Sequence, residues 1–175
     1  AHRTSLIFDD IQDNSPRRNG RPTVWHLWGN DQALNAGLTL SAYGRLALQG
    51  MWGMVIPGTI LAVQRLMEEA VIGLCRGQYL DLHFLETIPS LADYREMVRL
   101  KTGVLMGAAC QVGVVVAGDR GQDTAARRFG EALGWPSRSR TTTWGMGPAD
   151  TLGKAPNDLE ERKRGLPVGL AGQGR

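Results

Sequence analysis

Residues 6–16 read LIFDDIQDNSP. An apolar run ends here in three acids. On a helix, Asp9 and Asp13 are four apart and project from one face. Like charges at that spacing repel by about a few tenths of a kcal/mol, so a bare helix has no local reason to hold them beside an apolar run. Hard oxygen ligands on one face are what Mg²⁺ takes, as one or two carboxylates together with waters and substrate phosphate oxygens. The motif alone fits a solvated acidic helix end equally well.

The loop after the acids sharpens the choice. Residues 14–22 are polar, carry Arg17, Arg18 and Arg21, and close at Pro22. Guanidinium forks match phosphate oxygens. Acids able to hold a metal-bound diphosphate, followed by arginines able to hold another anion, point to two phosphorylated substrates. A charged surface loop is the plainer alternative.

Further along, the apolar positions recur at helical spacing. Residues 31–50 and 59–84 read as helices. Pro89 breaks the pattern, and Ser90 with Asp93 forms an acidic variant of a capping box for the next helix, which runs to about Lys101. A near-continuous apolar helix follows to Gly118, then a turn at 119–123 and a helix over 124–133. From Trp135 to Gly147 amphipathic order is lost. A short charged helix near 157–164 and a Gly-rich tail over 165–175, expected to be flexible, end the chain. No segment alternates with a two-residue period, so the expected fold is all-α.

Two polar features sit inside this apolar pattern. Gln78 and Asp81 are three apart and share a helix face. Buried polar groups need partners, and metal-bound water is one candidate. Lys101 and Thr102 place a cation and a hydroxyl at the start of the apolar helix. Each is weak alone, since a lysine is usually a solvated charge.

Composition excludes several classes. The net charge of +3 over 175 residues is mild, and the basic residues form no stripe with interleaved aromatics, so a nucleic-acid partner is not expected. A small anionic substrate suits that charge equally well. Two cysteines make no disulfide framework, which points to a reducing compartment and a cytoplasmic location. The three histidines lack metal-ligand spacing. The apolar stretch 102–118 is shorter than a membrane span and reads as a buried helix. The first residues read as the middle of a helix without an initiator Met, so an N-terminal part is expected to precede them.

Taken in order, LIFDDIQDNSP, RRNGRPTVWHLWG, ALNAG, RGQYLDL, DYREMVRLKTG and LGKAPNDLEERKRGLPV resemble the trans-isoprenyl diphosphate synthase (polyprenyl synthetase) family along nearly the whole chain. The resemblance implies one partial domain over 1–175 with an isoprenoid-synthase-type helical bundle around an apolar cavity. It implies a prenyltransferase that joins an allylic diphosphate to isopentenyl diphosphate with Mg²⁺ as cofactor. Asp9, Asp10 and Asp13 would bind the allylic diphosphate through the metal, with Asp9, Asp13, Lys101 and Thr102 closest to the chemistry. Arg17 and Arg18 would lie near isopentenyl diphosphate. Gln78 and Asp81 would support the metal shell, and Lys101 and Lys154 would contact diphosphate. Family members are usually homodimers. A geranylgeranyl-type product is favoured, because Thr4 and Ser5, just before the acids, are small.

Three departures qualify this. The family's N-terminal helices are absent. Asn19 stands where a second arginine is expected. The second aspartate-rich motif, expected between Leu133 and Lys154, is replaced over 134–147 by a segment whose residues 135–145 contain no acid. One possible coding of residues 135–145, read with a single added nucleotide, gives Leu-Ala-Phe-Gln-Ile-Gln-Asp-Asp-His-Leu-Gly, the family's second motif almost verbatim. A local reading-frame shift would account for the segment. The chain as written is expected to be weakly active or inactive. A non-catalytic partner subunit of a heteromeric synthase and, with less support, a terpene cyclase on the same fold are the alternatives.

Overall fold

A computed structural model describes residues 2–145. They are almost entirely helical, as the absence of alternation predicts, and they divide into two compact units between Ile60 and Leu61.

The first unit is built on α1 (His2–Gln12) and α3 (Asn30–Gln49), joined through a short hairpin and α2 (Val24–Trp28). Helix α1 packs on α3, and α2 packs on both. The Phe8 ring lies so close to Gly37 on α3 that an added Cβ there would meet it at 2.6 Å. The stretch read as a loop contains a minimal antiparallel ribbon, β1 (Arg17–Arg18) on β2 (Arg21–Pro22). Its turn residues Asn19 and Gly20 both take positive φ, 51° and 75°. Two consecutive positive φ values define the tight turn that Asn-Gly favours, because Asn tolerates the left-handed region and Gly has no Cβ to clash. That is a physical reason for Asn19 at a position where an arginine was expected.

Helix α4 runs from Pro57 to His83, and most of it belongs to the second unit. The capping box at Ser90 is present in full: the Ser90 hydroxyl accepts from the Asp93 amide, and the Asp93 carboxylate accepts from the Ser90 amide. It starts α5 (Leu91–Val98), which continues without a break through a π-helical turn (Arg99–Gly103) into α6 (Val104–Ala117). The sequence places a helix boundary near Lys101; the backbone instead widens by one residue per turn and carries on. The resulting run, Leu91–Ala117, is 27 residues long and by length and composition could cross a membrane. Its first half bears Asp93, Arg95, Glu96, Arg99 and Lys101, and Val98, Val104, Ala108 and Val115 are buried in the unit.

Helix α7 (Asp123–Gly145) packs along α6. The two backbones come very close: a Cβ on Gly130 would fall 2.7 Å from the Cα of Gly107, and one on Gly134 would fall 2.6 Å from the Cα of Gly103. The sequence ends this helix at Leu133, but the structure carries it to Gly145 with Pro136 inside. Tertiary packing outweighs local propensity here. Gly134 is locked against Gly103, and Trp135 packs on the cluster of Phe84, Tyr94, Met97 and Val98, meeting the Tyr94 ring edge-on. The charged helix near 157–164, the tail over 165–175 and Lys154 lie outside the described residues.

Candidate functional site

The first unit assembles the acids and one arginine. Helix α1 ends at Gln12, with Asp9 and Asp10 in its last turn and Asp13 just beyond it. The Asn14 amide donates to the Ile11 carbonyl and the Ser15 amide to the Asp10 carbonyl, so the chain turns back at once. The hairpin base is then anchored on one atom, the Ser15 carbonyl oxygen, which accepts from both the Thr23 hydroxyl and the Trp25 indole N–H at 2.9 Å. Thr23 is 4% exposed. It spends its hydroxyl on this anchor instead of capping α2.

This geometry aims Arg18 back at the acids. Its Nε donates to Asp10 Oδ1 at 2.7 Å, and its Nη2 donates to Asp9 Oδ2 at 2.9 Å. Asp10 is buried, at 6% exposure. Burial pushes its carboxyl above the ordinary value, the Arg18 hydrogen bond and charge oppose the rise, and Asp9 and Asp13 add to it. On Arg18, burial works against the charge, but hydrogen bonds and attraction from Asp10 and Asp9 raise its pKa overall. Arg17, its neighbour, points the other way and donates to the Gly20 carbonyl at 3.2 Å on the exposed side of the turn. Of the three arginines singled out in this loop, Arg18 is the one that bonds Asp9 and Asp10.

In the second unit, Gly77 lets α4 touch the π-helical turn. A Cβ there would lie 2.3 Å from the Lys101 backbone nitrogen. That contact brings Asp81 to Lys101, and the two form an ion pair whose side chains are 14% and 11% exposed. Arg138 on α7 approaches the same Asp81 oxygen at 3.4 Å. Arg138 was not among the residues singled out in the sequence. A cation at Asp81 from a segment without amphipathic order leaves no periodic signal. Gln78, one turn before Asp81, is 7% exposed, and its amide nitrogen has no hydrogen-bond partner among the described residues. Thr102 is half-buried beside Lys101 on the π-helical turn.

No three His, Cys, Asp or Glu side chains converge into a ready-made metal cage among the described residues. Mg²⁺ does not require one, because it keeps several waters and takes one or two carboxylates plus phosphate oxygens. The all-oxygen donor set of Asp9, Asp10 and Asp13 on one helix end fits such an ion. The orphaned Gln78 amide fits a water or a phosphate oxygen as its acceptor.

Residues 1–174 match the polyprenyl synthetase family in one stretch. Among curated proteins, a geranylfarnesyl diphosphate synthase of Aeropyrum pernix is 44% identical over 121 residues, covering 67% of this chain and 38% of the relative. A geranylgeranyl diphosphate synthase of Mycobacterium tuberculosis is 35% identical over 173 residues, covering 96% and 48%. Among solved structures, a geranylgeranyl pyrophosphate synthetase from Pyrococcus horikoshii superposes with a TM-score of 0.89 at 28% identity, covering 99% of this chain and 54% of that one. A polyprenyl synthase from Caulobacter crescentus, complexed with calcium and isoprenyl diphosphate, gives 0.85 at 28% identity over 98% and 52%. The chain spans about half the length of the curated relatives it matches.

Proposed function

Because this chain belongs to the polyprenyl synthetase family, we propose that it serves a trans-prenyltransferase that condenses an allylic diphosphate with isopentenyl diphosphate to a longer all-trans prenyl diphosphate, with a geranylgeranyl-type product favoured. The observation that carries this is the cluster of Asp9, Asp10 and Arg18, which puts metal-type oxygen donors and a phosphate-type cation within 3 Å of each other.

The residues divide the work by charge. Asp9, Asp10 and Asp13 hold the metal side of the allylic diphosphate. Bound Mg²⁺ would stabilise the departing diphosphate as the allylic C–O bond ionises. Lys101, oriented by Asp81, neutralises diphosphate charge, and Gln78 donates its unspent amide N–H to a water or phosphate oxygen. Thr102 stands beside Lys101 for the nascent allylic cation. Arg18 holds the diphosphate of isopentenyl diphosphate, with Arg17 and, beyond the described residues, Lys154 in support. The isopentenyl double bond attacks the allylic carbon, a new C–C bond forms, and the adduct loses a proton.

A location in the cytoplasm and assembly with a second copy, or with a related synthase, complete this reading. Leu34, Leu38, Tyr43 and Leu46 of α3 are exposed, and a partner subunit would cover them. The absence of acids over 135–145 supports a second reading, in which the chain is the non-catalytic subunit of such a pair.

The test separates these readings. Labelled isopentenyl diphosphate and an allylic diphosphate are incubated with Mg²⁺ and either the chain as written or a variant in which residues 135–145 are replaced by Leu-Ala-Phe-Gln-Ile-Gln-Asp-Asp-His-Leu-Gly. The expected result is little or no labelled product from the former and a gain from the latter, lost again on Asp9→Ala. Product from the chain as written at the level of the variant contradicts the need for the second acid motif. Product only after a complete synthase is added favours the partner-subunit reading. Allylic diphosphate turned over without label incorporation favours a cyclase.

A further inference from the structure

The proposed reading gives the acids to a metal and Arg18 to a second diphosphate, yet in the structure these groups are bonded to each other. Arg18 uses both arms of its fork, one on an Asp9 oxygen and one on an Asp10 oxygen. Nor is this a wandering surface arginine. The Asn19–Gly20 turn sets the strand direction, the Thr23 and Trp25 bonds fix the hairpin base, and Arg17 alternates outward as a two-residue strand requires. The backbone therefore turns Arg17 away and Arg18 toward the acid pair; Arg21, the cross-strand partner of Arg18, shares its face but is exposed and makes no hydrogen bond to the acids among the described residues. Two of the oxygens that a divalent cation would use are already spent on a cation.

Resting on that metal reading, we propose that Arg18 is the resting counter-ion of the acid pair, which Asp9 and Asp10 exchange for a divalent cation, and that the guanidinium so released is the one that holds the second diphosphate. The exchange leaves Asp10, buried at 6% exposure, neutralised in both states. An unpaired carboxylate at that depth would be costly. It also links two binding events. A cation that must displace Arg18 from the acids makes Arg18 available to an anion, and linkage requires the anion to favour cation binding by the same factor. On the fixed hairpin the Arg18 side chain then has two positions: on the acids without the cation, and free for phosphate with it.

The experiment measures Mn²⁺ affinity, as a stand-in for Mg²⁺, by electron paramagnetic resonance of the free ion. Arg18→Gln removes the competitor and is expected to tighten Mn²⁺ binding roughly tenfold, the scale of losing one or two charge-assisted hydrogen bonds. Arg18→Lys keeps the charge but loses the fork, and is expected to tighten it a few-fold. Arg21→Gln removes the same charge from the position opposite Arg18, and is expected to change affinity by less than about twofold, since Arg21 is exposed and makes no bond to the acids that a cation would have to break. Arg18→Gln at the wild-type affinity, or Arg21→Gln as tight as Arg18→Gln, overturns the proposal. Asp9→Ala separates it from the reading beneath: loss of Mn²⁺ binding there keeps the metal role even if Arg18 proves irrelevant, and unchanged binding removes both. Should Arg18→Gln fail to fold, the wild-type protein supplies a second measurement. The Arg18 side-chain Nε–H signal in ¹⁵N NMR, identified by its absence in Arg18→Lys, is expected to shift on Mg²⁺ addition. A signal unmoved at saturating Mg²⁺ overturns the exchange.

Discussion

Charged side chains in this chain do different work depending on depth. Asp10 is buried and Arg18 half-buried, so their pair is little screened by water. Glu96 and Arg99 lie on the surface, where an ion pair is worth about a few tenths of a kcal/mol. The contrast gives a prediction about pH. The Arg99 hydrogen bond, helped by its charge, holds the Glu96 carboxyl below its ordinary 4.5, against a smaller opposing effect of burial. A carboxyl whose folded pKa is depressed contributes stability above the unfolded value and loses it as pH falls through the folded one. Glu96→Gln should therefore reduce stability slightly at neutral pH, by about a few tenths of a kcal/mol, with the gap from wild type closing below pH 4.5. Urea titrations at about pH 7 and well below pH 4.5 check this; a gap that grows in acid would contradict it. Asn19 shows what a single residue can hide. The dipeptide Asn-Gly was present to be read as a tight turn, but an expected second arginine made it look like a defect. The backbone, with φ of 51° at Asn19, shows what the residue is for.

Among the elements, the joint between α4 and the π-helical turn sets the geometry of the second unit. Lys101 reaches Asp81 because Gly77 has no side chain. Gly77→Ala would drive a methyl group into the Lys101 backbone, a contact of 2.3 Å that no rotamer change relieves. Overpacking of this kind costs about 1–3 kcal/mol, and the Lys101–Asp81 pair should separate. Chemical denaturation gives the first effect, and NMR of the Lys101 ammonium gives the second. Full stability in Gly77→Ala would show that the helices can move apart cheaply. The helices themselves were legible because 3.6-residue periodicity is a local property: 31–50, 59–84 and the capping box at Ser90 stand close to where they were expected. The π-helical turn was not legible. One extra residue in a helical turn is set by where Lys101 and Gly103 must pack, and nothing in RLKTG encodes it. Nor was the reach of α7 past Leu133, which depends on Gly134 meeting Gly103 and on Trp135 finding the Tyr94 ring.

At the scale of the whole molecule, the site motifs were legible in sequence far more fully than their partners. Acids four apart, a loop of arginines and a buried Gln-Asp pair are patterns of spacing, whereas the ion pair between Asp81 and Arg138 joins residues 57 apart in sequence. The exposed apolar side chains of α3 bear on assembly. Leu34 and Leu38, one turn apart on one side of the helix, are 45% and 64% exposed, and Tyr43 and Leu46 are exposed further round it. We expect the chain to associate through α3, with Leu38→Glu lowering the mass seen by light scattering to that of a monomer. A wild-type chain already monomeric at tens of micromolar would rule that out. On the proposed reading, the absence of acids over 135–145 bears on turnover more than on capture of the allylic diphosphate, which is assigned to the acids of α1.

Everything proposed for catalysis depends on Asp9 and its neighbours holding an allylic diphosphate through Mg²⁺. Calorimetric titration of the chain with an unreactive allylic thiolodiphosphate tests it most directly, because binding does not require the missing acids to complete a reaction. The expected result is a saturable heat with Mg²⁺ present, abolished by EDTA and by Asp9→Ala, and weakened by Lys101→Ala. Binding that is unchanged by EDTA or by Asp9→Ala, or no binding at all with Mg²⁺, would contradict it.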